Sequence, residues 1–110
     1  MGADECKVCE DSIVSVIEVY SHLDHLKNYV QELEQGVVIR GSGELVPVNE
    51  DETYLAILKE AGWLLFRAGQ VSAGGYSSAE RVVKQVYELV EAAYVHDLQQ
   101  VRAVADRIQL

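Results

Sequence analysis

Residues 12–33, SIVSVIEVYSHLDHLKNYVQEL, carry the clearest structural pattern in this chain. Apolar side chains recur there every three or four positions, which is the spacing of one face of an α-helix. They are Ile13, Val16, Ile17, Tyr20, Leu23, Leu26, Val30 and Leu33. The stretch therefore predicts a long amphipathic helix, and Gly36 is expected to end it because glycine readily adopts the left-handed conformation that closes many helices.

Downstream of this helix, two short runs rich in β-branched residues flank a turn. The runs are VVIR at 37–40 and LVPV at 45–48, and residues 41–44, GSGE, supply glycines that tolerate a positive φ. Residues 37–48 are therefore predicted to form a β-hairpin. Pro47 has no backbone N–H to donate, so its strand should lie at an edge.

A second helix is predicted after the hairpin. Asn49 followed by Glu52 is a capping-box pattern, in which the two side chains satisfy free backbone amides at a helix start. The helix is expected to run to about Ala68 and to be closed by Gly69. Its centre, WLLF at 63–66, is apolar all round, which is typical of a helix that is buried on every side.

The last third of the chain is also predicted to be helical. Ser77 with Glu80 repeats the capping-box pattern and starts a third helix. Its apolar stripe is expected to follow Val83, Val86, Val90, Tyr94, Leu98, Val101, Ala105 and Ile108. Asp97 interrupts this stripe, so it either caps a separate last helix or is a partly buried acid, and we favour the helix break.

These elements predict a mainly α fold. The expected architecture is a bundle of three to four helices, with the β-hairpin inserted between the first and second helices, in the order α-β-β-α-α. With 110 residues, the chain has the usual size of a single domain, which we assign to residues 1–110 with a flexible N-terminus at 1–11.

Composition and charge limit the partners. The formal net charge is −9, which argues against nucleic-acid binding because phosphate contacts are made by Lys and Arg. The negative charge is concentrated in residues 1–35. We find no apolar run that could cross a bilayer and no signal-peptide pattern at the N-terminus, and we therefore expect a cytoplasmic protein without a membrane partner.

The cysteines form a C-x-x-C pair near the N-terminus. Together with two histidines they give Cys6-x2-Cys9-x12-His22-x2-His25, which differs by one residue from the spacing of a C2H2 zinc finger. If residues 12–33 are one helix, however, Cys9 and His22 lie roughly 20 Å apart, too far for one tetrahedral site. We expect free thiols, and the sequence leaves open whether the pair binds metal or is redox active.

Glu18, His22 and His25 share one side of the first helix, opposite its apolar stripe. The favoured interpretation is a solvated polar face. The alternative is a metal site, since carboxylate and imidazole groups are common ligands of transition metals, and such a site would be expected between subunits.

The glycine-rich segment 69–78 is the best candidate for a ligand site. Free amides at the start of a helix can bind an anion. The candidate ligand-binding residues are Arg67, Gly74, Gly75, Tyr76, Ser77, Ser78, Arg81 and Lys84. A Walker A site is excluded, because glycine replaces the required lysine and a helix rather than a strand precedes the loop.

The leading hypothesis is a non-catalytic, self-associating helical protein that acts by binding a protein partner. Long helices with wide apolar stripes, and a hairpin with free edges, imply surface that a monomer leaves exposed. Two alternatives remain: a binder of a small anionic ligand or nucleotide at 69–78, and an acidic inhibitor or nucleic-acid mimic that docks on a basic partner. No catalytic constellation and no cofactor motif are found, so we do not expect an enzyme.

Overall fold

The computed structural model describes the backbone of residues 3–75 and 77–110, and the side chains of residues 14–75 and 77–110. Over these residues the chain forms four helices and one hairpin. In chain order they are α1 (Ala3–Gln35), β1 (Val37–Ile39), β2 (Leu45–Pro47), α2 (Glu50–Ala73), α3 (Ser78–Tyr94) and α4 (Leu98–Arg107). The predicted fold class and element order are confirmed.

Two helix boundaries differ from the prediction. α1 begins at Ala3 and not at Ser12, so residues 3–11, expected to be a flexible terminus, are helical. Asp4 and Glu5 favour a helix start there because acidic residues interact well with the positive end of the helix dipole. α2 continues through Gly69 to Ala73, since a glycine inside a helix costs only about 1 kcal/mol relative to alanine and Val71 beyond it is fully buried.

The central helix of the fold is α2. It packs against α1 on one side and α3 on the other, while α4 packs against α3 and α1. The largest fully buried side chains come from all four helices. They include Leu26, Ile57, Leu64, Leu89 and Val101.

The buried face of α3 differs from the predicted stripe. Val82, Val86 and Leu89 are fully buried, whereas Val83 and Val90 are only half-buried and Tyr94 is exposed. The predicted stripe treated α3 and α4 as one continuous helix. Because the chain turns between the two helices, the helical spacing of the buried positions in α4 does not continue into α3.

The hairpin follows the prediction. Its antiparallel register pairs Val37 with Pro47, Val38 with Val46 and Ile39 with Leu45. Gly36 closes α1 with a φ of +76°, and its carbonyl accepts a hydrogen bond from the backbone of Val48 at 3.1 Å. These contacts hold the hairpin at the C-terminal end of α1.

Two of the three predicted helix caps are confirmed. The side chain of Asn49 accepts a hydrogen bond from the backbone N–H of Glu52 at 3.1 Å, and that of Asp97 accepts from Gln100 at 3.2 Å. The predicted Ser77 cap is wrong, because Ser77 already has helical φ and ψ angles and its side chain makes no capping bond. The break at Asp97 makes α4 a separate helix, as favoured from the sequence.

α3 ends in a Schellman motif. The N–H groups of His96 and Asp97 donate to the carbonyls of Ala93 and Ala92, at 3.1 and 2.9 Å. His96 therefore occupies the position usually taken by glycine, and its φ is +57°. Its ring stacks on Tyr54 of α2, with ring centres 4.0 Å apart.

A charged pair joins the short α4 to α1. Arg102 donates hydrogen bonds to both carboxylate oxygens of Glu34, with Nε lying 3.2 Å from Oε2. The hydrogen bond from Arg102 lowers the pKa of Glu34 below its usual range. None of the helices in the described residues is long and apolar enough to cross a membrane.

Replacing Asp97 by alanine should lower the free energy of unfolding by about 1 kcal/mol, because the first turn of α4 loses its capping acceptor. Glu91→Ala is the matched control, since Glu91 is an exposed acidic residue within α3 and alanine there should be neutral or slightly stabilising. Urea unfolding of both variants measures the difference. Equal effects of the two substitutions would contradict the capping role.

Replacing His96 by glycine should leave the protein about 1 kcal/mol more stable than replacing it by alanine, because both variants lose the Tyr54 contact but only glycine adopts a positive φ without strain. Urea unfolding of the two variants gives the comparison. An alanine variant as stable as the glycine variant would show that the left-handed conformation at this turn is not retained.

Candidate functional site

Glu18, His22 and His25 lie on the side of α1 that meets α2, and Glu60 of α2 faces them. Glu60 Oε2 is 2.6 Å from Nδ1 of His22, and Glu60 Oε1 is 3.7 Å from Nδ1 of His25. Glu18 Oε2 lies 3.6 Å from Nε2 of His22. The carboxylate of Glu60 thus lies between the two imidazole rings.

The prediction of a solvated polar face is therefore wrong for His22. The side chains of His22 and Glu60 are each only 17% exposed, whereas that of His25 is 57% exposed. The difference arises because α2 packs along this side of α1 and covers His22. We call His22, His25 and Glu60 the histidine cluster.

Trp63 extends the histidine cluster along α2. Its ring lies nearly parallel to that of His22, with centres 5.7 Å apart and an interplanar angle of 6°. Neither Trp63 nor Glu60 was predicted from the sequence to belong here. In the sequence, Glu60 and Trp63 can be recognised only as two residues on the same side of α2, because they are three positions apart. That spacing does not show that they contact His22 unless the alignment of α1 against α2 is known.

Free thiols are expected at Cys6 and Cys9 of α1. Their side chains lie outside the described residues, as does that of Asp11 on the same helix. The backbone of α1 is one helix from Ala3 to Gln35, so 13 helical steps separate Cys9 from His22, a rise of roughly 20 Å. This separation agrees with the argument against a zinc-finger site within one chain.

The side of α2 turned away from the core forms a second candidate surface. From Leu55 to Ala73 its exposed residues are Leu55, Lys59, Gly62, Trp63, Phe66, Gly69, Gln70 and Ala73. We call this set the outer face of α2.

The predicted burial of 63–66 on every side is wrong for Trp63 and Phe66. Leu55, Trp63 and Phe66 are 53%, 51% and 55% exposed. An added Cβ at Gly62 would meet no described atom within 4 Å, so none of the described helices crosses closely there. The physical reason is that α1 and α3, the helices packed on α2, cover its opposite face, where Ile57, Ala61 and Leu64 are fully buried.

The glycine-rich segment is shorter as a loop than predicted, because α2 continues to Ala73. Gly74 caps that helix, and Gly75 has a φ of +100°. Tyr76 lies outside the described residues. Ser77 and Ser78 lead into α3, where Ser77 is exposed and Ser78 is half-buried.

In the described residues, no contact brings the positively charged side chains near this loop together around it. Arg67 donates to Gln70 on the same helix at 3.0 Å and lies over the ring of Phe66, 5.4 Å from its centre. Arg81 and Lys84 are exposed on α3. An anion site at this loop remains a prediction.

A shallow cleft of about 380 Å³ lies where the hairpin, the start of α2 and the turn before α4 meet. It is lined by Leu33, Gly36, Val48, Glu50, Tyr54, His96 and Leu98. Nδ1 of His96 is 3.2 Å from Glu50. Burial raises the pKa of Tyr54, and the nearby carboxylates of Glu50 and Asp97 raise it further.

The histidine cluster and the outer face of α2 are thus the two surfaces with the most distinctive chemistry. The first gathers imidazole and carboxylate groups, and the second exposes aromatic and aliphatic side chains in a strongly acidic protein. Comparisons of this chain with family models, curated proteins and solved structures found no match.

Proposed function

We propose that this protein is a non-catalytic interaction protein that self-associates through α1 and α2. The observation that carries the proposal is the exposure of Leu55, Trp63 and Phe66 on the outer face of α2. Large apolar side chains grouped on one helix face favour a protein contact, because covering them removes apolar surface from water.

The size of the exposed surface supports the proposal. The accessible surface of the chain is 6994 Å², whereas a compact monomer of 12.2 kDa is expected to expose about 6,100 Å². The chain thus exposes roughly 900 Å² more than that relation gives, and Leu55, Trp63 and Phe66 belong to the exposed apolar surface.

The shape of the chain agrees with this excess. The radius of gyration is 16.0 Å, against about 13 Å for a compact domain of this length. The Cα atoms extend over 55 × 31 × 17 Å, so the molecule is long and thin. A long, thin chain exposes more surface than a compact one, and Leu55, Trp63 and Phe66 lie on that surface.

The distribution of charged residues favours a second copy of this chain as the partner that covers the outer face of α2. Lys59 is the one exposed charged residue of α2 between Leu55 and Ala73, although the chain as a whole has a net charge of −9. On α1, Val14 and Ile17 are also exposed, and so is the acidic Asp24. A two-fold arrangement that sets α2 of each copy against α1 of the other would match apolar with apolar residues and Lys59 with an acidic helix.

The other hypotheses have less support. An acidic inhibitor would use the negative charge of the first third of the chain, and its binding would weaken steeply with salt. An anionic ligand at 69–78 lacks a gathered set of cations in the described residues. Binding of a different protein at the outer face of α2 would compete with self-association.

Replacing Phe66 by glutamate should abolish self-association, because a charge would have to be buried where an aromatic ring packs. Sedimentation velocity over a range of micromolar concentrations should find the wild-type chain as a dimer and the variant as a monomer. Leu55→Glu should have the same effect, since Leu55 belongs to the same face.

Tyr94→Glu is the matched control, because Tyr94 is an aromatic residue of α3 with 79% exposure that lies off the proposed interface. This variant should remain a dimer. A monomeric wild-type protein, or equal loss of the dimer in the Phe66 and Tyr94 variants, would overturn the proposal.

A further inference from the structure

We infer that the histidine cluster is a binding site for one divalent cation of the zinc class. Nδ1 of His22, Nδ1 of His25 and a carboxylate oxygen of Glu60 would be the protein ligands. This inference does not depend on self-association, because all three residues belong to the same chain.

The ligand atoms are already close together. One ligand atom from each residue can be chosen such that all three lie within 4.8 Å of one another. In a tetrahedral site with ligand distances of 2.0–2.2 Å, ligand atoms lie roughly 3.3 Å apart. Small side-chain rotations would bring the three groups onto one ion without moving the helices.

The backbone that carries these side chains is held by the core. His22 and His25 alternate along α1 with Leu23 and Leu26, which are 3% and 0% exposed. Glu60 is followed directly by the fully buried Ala61 of α2. Ligands on two helices that are fixed by packing form a preorganised site.

Glu18 completes the arrangement as a partner of His22. When Nδ1 of His22 binds an ion, Nε2 carries the remaining ring proton, and Glu18 Oε2, 3.6 Å away, would accept it as a hydrogen bond after a small rotation of the glutamate. Carboxylates in this position orient metal-binding histidines and increase their basicity. The ring of Trp63 lies along the face of the same imidazole and restricts its rotation.

The donor set selects the class of ion. Two imidazole nitrogens and one carboxylate oxygen suit zinc and similar transition ions, whereas magnesium and calcium prefer oxygen ligands alone. Three protein ligands leave one tetrahedral position for water or an external ligand. The exposure of His25, on the outer side of the cluster, gives that position access to solvent.

The competing explanation is a plain ion pair between Glu60 and the two histidines. In that case Nδ1 of His22 keeps its hydrogen and donates it to Glu60, and no ion binds. The two explanations differ in what happens when metal is added, because an ion must replace that proton and bind in a fixed ratio to the chain.

Trp63 provides the measurement, since it is the single tryptophan of the chain. Chelator-treated protein with Cys6→Ser and Cys9→Ser, which removes the thiols as competing ligands, would be titrated with Co²⁺ while tryptophan fluorescence is recorded. We expect saturable quenching at one ion per chain and its reversal by Zn²⁺. Mg²⁺ at the same concentrations should have no effect.

Glu60→Gln and His22→Gln should each weaken Co²⁺ binding by at least about tenfold, and Glu18→Gln should weaken it by roughly tenfold, as for outer partners of metal ligands. His96→Gln is the control, because His96 is exposed and lies outside the cluster. Urea unfolding identifies any variant that loses binding because it does not fold.

Absence of saturable quenching in the Cys6→Ser, Cys9→Ser protein would overturn the inference. Equal Co²⁺ affinity in Glu60→Gln and in His96→Gln would also overturn it. Leu55→Glu, which should also abolish self-association, keeps all three proposed ligands and Trp63 and should bind the ion with unchanged affinity. Failure of the metal site and failure of self-association are therefore distinguishable.

Discussion

The packing of one face of α2 is the constraint on which the other features depend. Ile57, Ala61, Leu64 and Ala68 recur along that face at helical spacing and are fully buried. α1 and α3 flank the helix, and the core on the covered side is completed by α4. α1 and α3 therefore take their positions from α2, and no described helix covers the side of α2 that carries Trp63 and Phe66.

Both candidate surfaces follow from this position. Where α1 meets α2, the polar residues just beyond the buried face are brought together, and they include His22 and Glu60. Further around the helix, the apolar residues that no neighbour covers become the outer face of α2. Trp63 belongs to both, because one side of its ring contacts His22 while about half of its side chain remains exposed.

Local patterns predicted local structure well. Asn49 and Asp97 were recognisable as caps because a capping bond spans only three residues, and Gly36 was recognisable because its role depends on its own φ. The buried face of α3 was not predictable in the same way, since one turn at His96 changes the helical phase. Glu60 could not be assigned to His22 at all, because their contact depends on how two helices align across 38 residues of sequence.

The apolar run at 63–66 is the clearest disagreement between the expected and the observed burial. Leu64 is fully buried and Leu65 half-buried, but Trp63 and Phe66 point away from the core. The sequence of this segment suits a helix covered on both sides, whereas a chain that is 17 Å thin covers it on one. A second copy placed on the outer face of α2 would supply the missing side, and the same sequence pattern would then match its surroundings. The exposure of Trp63 and Phe66 thus agrees with the self-association proposed above.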